Sequence, residues 1–481
     1  MKKTAIAVAS LAAAVTFGTM VSPTFANHVN SLFNTIDQAD GGMKNAAVEG
    51  YVQEVNKKVT DKGITVIVKE VLADPTRIAL IFDFVDKDGK RLDFYNPNTY
   101  DFYYDGRFTL TDNTGKDLNP LGDGWAQRKY GDYLLVEQDL YNMFDRAEKA
   151  PDGLTIGVNF SNIMDTEGSW KIDIPIDMKK AKAVAKTVEI NKEYTSPQGI
   201  AIKLDNVMTV PSASLLTLET DWNEQRIKEY MKLIEEKGWN DAPEGSRKDM
   251  RLTPGELMQH YLTDYGLAYE ILDEKGNLIA GRDDTMFETL NGIRKNEVDM
   301  TSKGEGKGEN QGMVWWDGFA PFTGHEKVTF KLHSIYLKEP ASFEAKIALD
   351  ELNKQPVTVE SSGSTFTFSK FNLKTTEEKE KIGRYEWRGK GGIIEFEVTL
   401  PKDIVYITDW KAKDETGKEY RLFMDNGAGE YTRGKDGRVK IKSALFIRDL
   451  VKQPKELTIT YGIQEHQYRD VKWEVPIQLN K

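Results

Sequence analysis

The chain has 481 residues, with 65 Lys and Arg against 76 Asp and Glu, a formal net charge of −11 and no cysteine. The acidic balance disfavours nucleic acid, anionic lipid and polyanionic wall polymers as direct partners and leaves basic or neutral ones, while the lack of thiols excludes disulfides, thiolate zinc sites and cysteine nucleophiles. The length suits about three domains of ~150 residues, each able to bury a core of its own.

The chain opens on MKKT, a weakly apolar Ala-rich run over residues 5–21, and SPTFA, whose Thr24 and Ala26 have the small-residue spacing of a signal-peptidase site. This predicts an export signal cut between Ala26 and Asn27. The alternative is an uncleaved anchor, for which the run falls short of the ~20 apolar residues of a spanning helix. No second run of that kind follows, so the remainder is expected outside the cytoplasm, secreted or anchored at the cell envelope. With only MKKT before the run, no cytoplasmic binding module is expected in this chain, and any signal passed inward is expected to need a membrane-spanning partner.

The stretch GGMKNAAVEGYVQEVNKKV (residues 41–59) carries Met43, Ala47, Tyr51 and Val55 at four-residue steps and predicts a helix. Period two then takes over. In GITVIVKEVLADP (63–75) and the following TRIALIFDF, apolar residues alternate as in strands with one face on a core. The first of these returns as GIAIKLDNVMTVP (199–211), which keeps Gly63, Val71 and Pro75 as Gly199, Val207 and Pro211; SGSTFTFSKFNL (362–373) follows the same pattern. A second recurring element is D-x-x-G, in DKDGK (86–90), DEKGN (273–277) and DETGK (414–418), where Asp starts a turn and Gly takes its left-handed position. A third is a closing strand, GSWKIDIPI (168–176) and VKWEVPI (471–477), with Trp170 and Trp473 facing in and Pro on an edge. PDGLTIGV and PKELTITY precede the two at the same distance, and ASFEAKIAL (341–349) holds the corresponding place in the middle third, with Phe343 for Trp.

Helical insertions are expected in NEQRIKEYMKLIEEKG (223–238), in TPGELMQHYL (253–262) and, smaller, around residues 134–147. Charged, flexible stretches at 181–189 and 351–356 set the expected boundaries: a signal or anchor at 1–26, a helix and first domain at 27–182, a second domain with a helical insertion at 183–354 and a third at 355–481. The fold class expected is mainly β, with tandem immunoglobulin-like β-sandwiches.

The strings SPTFANHVNSLF, AAVEGYVQEVNKKVTDKGITVIVKEVLADPTRIAL and TVEINKEYTSPQGIAIKLDNV together resemble the extracytoplasmic part of anti-sigma-factor-like membrane proteins of Gram-positive bacteria, built from two successive domain families of uncharacterised function. The resemblance is specific over 46–80 and 187–211 and extends over about residues 22–350. It implies an envelope-exposed module of the kind used in signalling.

Residues that carry chemistry are scattered. The five histidines fall in no H-E-x-x-H frame and beside no G-x-S-x-G elbow. Asp283 and Asp284 with Glu288 have the residue types of a glycosidase pair, which chance supplies easily in so acidic a chain. DFVDKDGKRLDF lacks the alternating oxygen ligands and closing Glu of a calcium loop. The strongest ligand surface is KGEGKGENQGMVWWDGFAPF (303–322), whose Trp315, Trp316 and Phe319 have the aromatic character that stacks on sugar rings, although neighbouring tryptophans on a strand point to opposite faces and one belongs in the core. The expectation is a non-catalytic sensing or interaction module with no cofactor and no metal, whose partner is an envelope or membrane protein or a wall glycan; a secreted glycan-binding protein or carbohydrate-active enzyme and an envelope spacer are the alternatives. The sequence does not give the oligomeric state.

Overall fold

The computed structural model describes residues 24–25, 30–36, 39–96, 101–119, 124–141, 143–144, 146–237, 265–283, 301–307, 312–376, 380–382, 385–387, 389–424, 429–448 and 450–479. The protein is mainly β, with several sheets and few helices. It divides into two compact units, Met1–Ala39 with Met43–Val184, and Asp40–Gly42 with Ala185–Lys481. The boundary expected near 182 thus falls at 184, whereas residues 183–354 and 355–481, expected as separate domains, lie in one unit.

The strands of the first unit are, in chain order, β1 (Thr24–Phe25), β2 (Val52–Asp61), β3 (Ile64–Asp74), β4 (Arg77–Val85), β5 (Tyr95–Asn96), β6 (Asp101–Phe102), β7 (Tyr104–Asp112), β8 (Trp125–Tyr130), β9 (Tyr133–Asp139), β10 (Gly153–Ile163) and β11 (Thr166–Asp177). One sheet runs β1-β2-β3-β4-β9-β8 and another β11-β10-β7. Their facing residues, among them Val66, Phe82 and Val136 from the first and Leu110, Ile156 and Trp170 from the second, form one apolar core. The helix expected over 41–59 exists only as Gly41–Val48, which buries Met43, Ala46 and Ala47. Gly50 (φ 77°) ends it and the chain becomes β2. Four-residue steps also satisfy an alternation of two, so the spacing of Tyr51 and Val55 fits a strand equally well. Around 134–147 the expected helical piece is instead the central strand β9, whose consecutive Leu134, Leu135 and Val136 are buried on both faces, followed by a single 3-10 turn, Ala147–Lys149.

In the second unit the strands continue as β12 (Lys186–Thr195), β13 (Ile200–Val210), β14 (Ala213–Trp222), β15 (Tyr265–Leu272), β16 (Leu278–Asp283), β17 (Thr301–Gly306), β18 (Met313–Phe319), β19 (Lys327–Ala348), β20 (Val357–Ser361), β21 (Ser364–Lys374), β22 (Glu380–Ile382), β23 (Tyr385–Trp387), β24 (Gly391–Leu400), β25 (Ile404–Asp414), β26 (Glu419–Met424), β27 (Glu430–Arg433), β28 (Val439–Arg448), β29 (Glu456–Tyr468) and β30 (Trp473–Gln478). The path β2-β3-β4-β9-β8 recurs as β12-β13-β14-β18-β17 and again as β20-β21-β24-β28-β27. A helix forms at Glu224–Lys237 as expected, with the Asn223 side chain accepting from the Arg226 N–H at 2.8 Å; residues 253–262 lie outside the described residues.

The recurrence extends to local geometry. Gly63, Gly199 and Gly363 each end the first turn at φ 80°, 87° and 79°, a conformation that a side chain opposes. Past each glycine the next ladder skips one residue at the same place: between Val68 and Glu70, between Leu204 and Asn206, and between Phe368 and Lys370. The skipped residues Lys69, Asp205 and Ser369 bulge, so the inward set shifts phase and resumes at Val71, Val207 and Phe371. Pro75 and Pro211 open the two-residue loops that follow, between the pairs Asp74–Arg77 and Val210–Ala213. The third opener, alike only in pattern as a sequence, therefore shares the turn and the bulge.

The D-x-x-G turns form as expected. Asp86, Asp273 and Asp414 each accept two backbone N–H bonds through Oδ1. The true counterpart of the second and third is a fourth turn, DNTGK at 112–116, because β7, β15 and β25 occupy one place in their sheets. Its second residue shows why. Glu274 accepts the N–H groups of Glu326 (2.8 Å) and Lys327 (3.0 Å) at the start of β19, Glu415 accepts those of Lys455 and Glu456 at the start of β29, and the Asn113 Oδ1 lies where a Cβ on Gly153, the first residue of β10, would come within 2.9 Å.

A hydrogen bond from His325, then those from the backbone, hold the Glu274 carboxyl at about 2, below its ordinary 4.5. A depressed carboxylate contributes stability that is present above the ordinary value and lost as pH falls toward the folded one. The thermal midpoint should therefore fall between about pH 4.5 and 2, and Glu274→Gln should lower it at neutral pH while flattening that part of the profile. Identical profiles would show that this clasp contributes nothing.

The closing strands depart from expectation. Within the second unit, β19 is one strand of 22 residues that serves two cores. Its first half pairs with β15 and packs Val328, Phe330 and Leu332 against β13 and β14. Its second half pairs with β29 and packs Phe343, Ala345 and Ile347 against β21, β24 and β28. Residues 341–349 thus close the third repeat, not the second. The C-terminal strand β30 runs back to pair with Lys327–Leu332, and Val471, Val475, Ile477 and Leu479 belong to the core of the second repeat. Phe343 and Trp473 are both closers, each in the neighbour's place.

Candidate functional site

The aromatic strand β18 lies between β14 and β17. Its alternation sends Trp316 and Trp315 to opposite faces, yet neither forms an open platform. Trp316 is 8% exposed and Phe319 is 2% exposed, and Phe319 stacks on the buried Phe322 with ring centroids 6.1 Å apart. Trp315 is half-buried against the core of the second repeat, and its Nε1–H donates to Thr220 Oγ1 at 2.8 Å. Of the surface expected from Trp315, Trp316 and Phe319, Trp316 and Phe319 are thus buried and Trp315 keeps a half-buried ring against β14 and β15.

What β18 does organise is a buried ionic cluster. Asp317, fully buried, accepts from the Arg282 guanidinium at 3.2 and 3.3 Å, from the Tyr269 hydroxyl at 2.5 Å and from Ser302 Oγ at 2.6 Å. Arg282, itself 3% exposed, lies 4.2 Å from the centroid of the Trp315 ring. Charges taken so far from water persist only when paired and hydrogen-bonded on all sides. Four contacts from three side chains meet that condition for Asp317 and join β15, β16, β17 and β18. Since its oxygens already accept these bonds, Asp317 has the character of a positioning group, unlike a general base poised to take a substrate proton.

A second polar chain follows. Asp283 accepts from the Tyr336 hydroxyl at 3.1 Å; Gln467 donates to Tyr336 and to Ser334, each at 3.1 Å, and accepts from Arg433 at 2.9 Å and Arg469 at 2.6 Å. Asp283 is 1% exposed, while Asp284 and Glu288 lie outside the described residues, as do Ala26 and Asn27. His325 rests on Glu274 at 3.0 Å, and His466 is 3.8 Å from Asp403. Among the described residues no group of three His, Asp or Glu side chains is placed to hold a metal ion, and no helix is long and apolar enough to cross a membrane. Sequence reasoning missed Arg282 and Asp317 because a buried ion pair has no local signature; the WWDGF string held only the clue that a charge followed two tryptophans on a core strand.

Residues 1–86 match the family model of a domain of unknown function, DUF4179. The solved structure titled "The crystal structure of the conserved domain protein from Bacillus anthracis" is similar over 67% of this chain and 90% of its own, at 12% identity and a TM-score of 0.36. No curated protein matches the chain.

Proposed function

We propose that the chain is a non-catalytic, exported module of the cell envelope that senses or binds a partner, built from three immunoglobulin-like β-sandwich repeats and related to the outer part of anti-sigma-factor-like proteins. The observation that carries this reading is the repetition itself: one turn, one bulge and one sheet order recur three times. Repeated units of this kind build extended, stiff surfaces for recognition, and the interlocked strands of the second unit suit a device that keeps its shape under load. The buried pair Arg282 and Asp317 also fits, since the two satisfy one another. The partner is a basic or neutral envelope component, a membrane-spanning protein or a wall glycan, as the acidic balance favours.

An array of wall glycans and peptides probed with the purified chain tests the reading. Saturable binding without turnover is expected. Turnover of any component would make the protein an enzyme and overturn the proposal, and complete silence would leave the spacer reading in its place.

A further inference from the structure

The third repeat opens where the second is closed. Counted back from the Asp that starts each D-x-x-G turn, Ala268 and Asp409 are equivalent, as are Tyr269 and Trp410. In the second repeat the hairpin stays zipped along its length, with Ala268 opposite Asp283 and Tyr269 opposite Arg282. In the third repeat β25 and β26 pair only from Lys413–Glu419 to Lys411–Arg421; β26 then leaves, and Leu422 to Met424 pair with β28 instead. The parting strands leave a cleft of about 180 Å³, open on one side.

Tyr406, Thr408, Asp409 and Trp410 form one wall, and Arg421 and Phe423 contribute to the other. Asp409 stands at φ 59°, a conformation uncommon outside glycine and found most at Asn and Asp. Its carboxylate pairs with the half-exposed Lys411 at 3.1 Å. Gly462 lies beneath it, where a Cβ would sit 2.5 Å from the carboxylate. Trp410 is 3% exposed and packs its ring against Phe343, Phe366, Phe396 and Tyr461, so it backs the cleft from the core. A strained backbone at a polar residue is a feature that accompanies binding sites.

From this we infer that the cleft of the third repeat is a binding site for one neutral, hydroxyl-rich ring, a single pyranose unit. The chemistry selects the class. An anion would face the Asp409 carboxylate. A simple cation would offer no acceptor to Arg421. A sugar ring donates to Asp409 and Thr408, accepts from Arg421, and lays its C–H face on Tyr406. The volume lies below the ~300–1,000 Å³ of drug-sized pockets, which limits the occupant to one ring. The site stands whether or not the chain is an envelope sensor.

Titration of the whole chain with glucose, galactose, mannose and N-acetylglucosamine, followed by calorimetry and tryptophan fluorescence, tests the site, with glucuronate and free arginine as charged probes. At least one neutral sugar should saturate with a Kd on the order of 1 mM. Asp409→Gly removes the carboxylate while suiting the backbone conformation, so it should keep the thermal midpoint and weaken binding by roughly tenfold or more, about 1.4 kcal/mol. Absence of saturation by every neutral sugar, tighter binding of a charged probe, or unchanged affinity in Asp409→Gly would each overturn the assignment.

Discussion

Ending the chain at Asp470 should unfold the second repeat and spare the third, although the residues removed follow directly on the third repeat in sequence. The lost strand β30 pairs with Lys327–Leu332, and Val471, Val475, Ile477 and Leu479 are buried among Ile202, Leu218 and Phe330. At about 1.5–3 kcal/mol for each buried apolar side chain, the four together are worth on the order of 6–12 kcal/mol, which covers most of the 5–15 kcal/mol that holds a typical domain. The stacking of Trp473 on Tyr194, with ring centroids 5.4 Å apart, is lost as well. Hydrogen exchange followed by mass spectrometry gives the readout. Protection should collapse in β13, β14 and β15 and persist in β21, β24 and β28, whose closer is the second half of β19. Collapse of β21, β24 and β28 with β13 and β14 intact would restore the C-terminal strand to the third repeat.

That exchange marks the limit of what the sequence discloses. Strand alternation is local: Val471, Trp473, Val475 and Ile477 face one way, Lys472, Glu474 and Pro476 the other, and the structure keeps this division. Alternation says which face is inward but not which core receives it. Both halves of β19 alternate alike, so nothing in the residues marks the passage from one core to the next. The bulges were hidden for a different reason. Lys69, Asp205 and Ser369 share no chemistry, because a bulged residue is chosen by the phase of the strand around it; the visible trace was the three-residue step from Val68 to Val71, repeated from Leu204 to Val207 and from Phe368 to Phe371. The turns were legible because Asp and Gly each meet a stereochemical demand. DNTGK carries a weaker signal because it is followed by the polar DLNP rather than by a strand.

The site was less legible than the fold. Aromatic density drew attention to Trp315, Trp316 and Phe319, yet aromatic rings are the largest contributors to cores of this size, and here packing claims them. The charges that distinguish the second repeat from the third became visible only when the repeats were aligned in space: Arg282 and Asp283 stay in the zipped hairpin of one, while its counterpart in the other parts at Arg421. Differences between copies of a common frame carry information that neither copy holds alone.

Replacing Trp170 by Ala should cost the first unit about 3–5 kcal/mol for the lost ring and roughly 1 kcal/mol more for a hydrogen bond. Trp170 is fully buried and sits opposite Phe160 in the ladder of β11 and β10. Its Nε1–H donates to the Ile64 carbonyl at 2.9 Å, so this one side chain ties the last strand of the unit to the first residue of β3, next to the Gly63 turn. Gly168 admits the ring: a Cβ there would lie 2.5 Å from it. Trp170→Phe keeps most of the apolar surface and loses the donor, and should cost about 1–3 kcal/mol. Gly168→Ala should destabilise by a similar ~1–3 kcal/mol through overpacking. Trp473→Ala is the internal control, because Trp473 lies two residues along the closing strand of the second repeat, in the register of Ile172, and is half-buried, so it should cost less than Trp170→Ala. Chemical denaturation of the four variants decides the matter. A loss below about 1 kcal/mol for Trp170→Ala, in the range of surface substitutions, would mean that the closing strand does not hold the opening hairpin. Equal losses at Trp170 and Trp473 would mean that burial is not what distinguishes them.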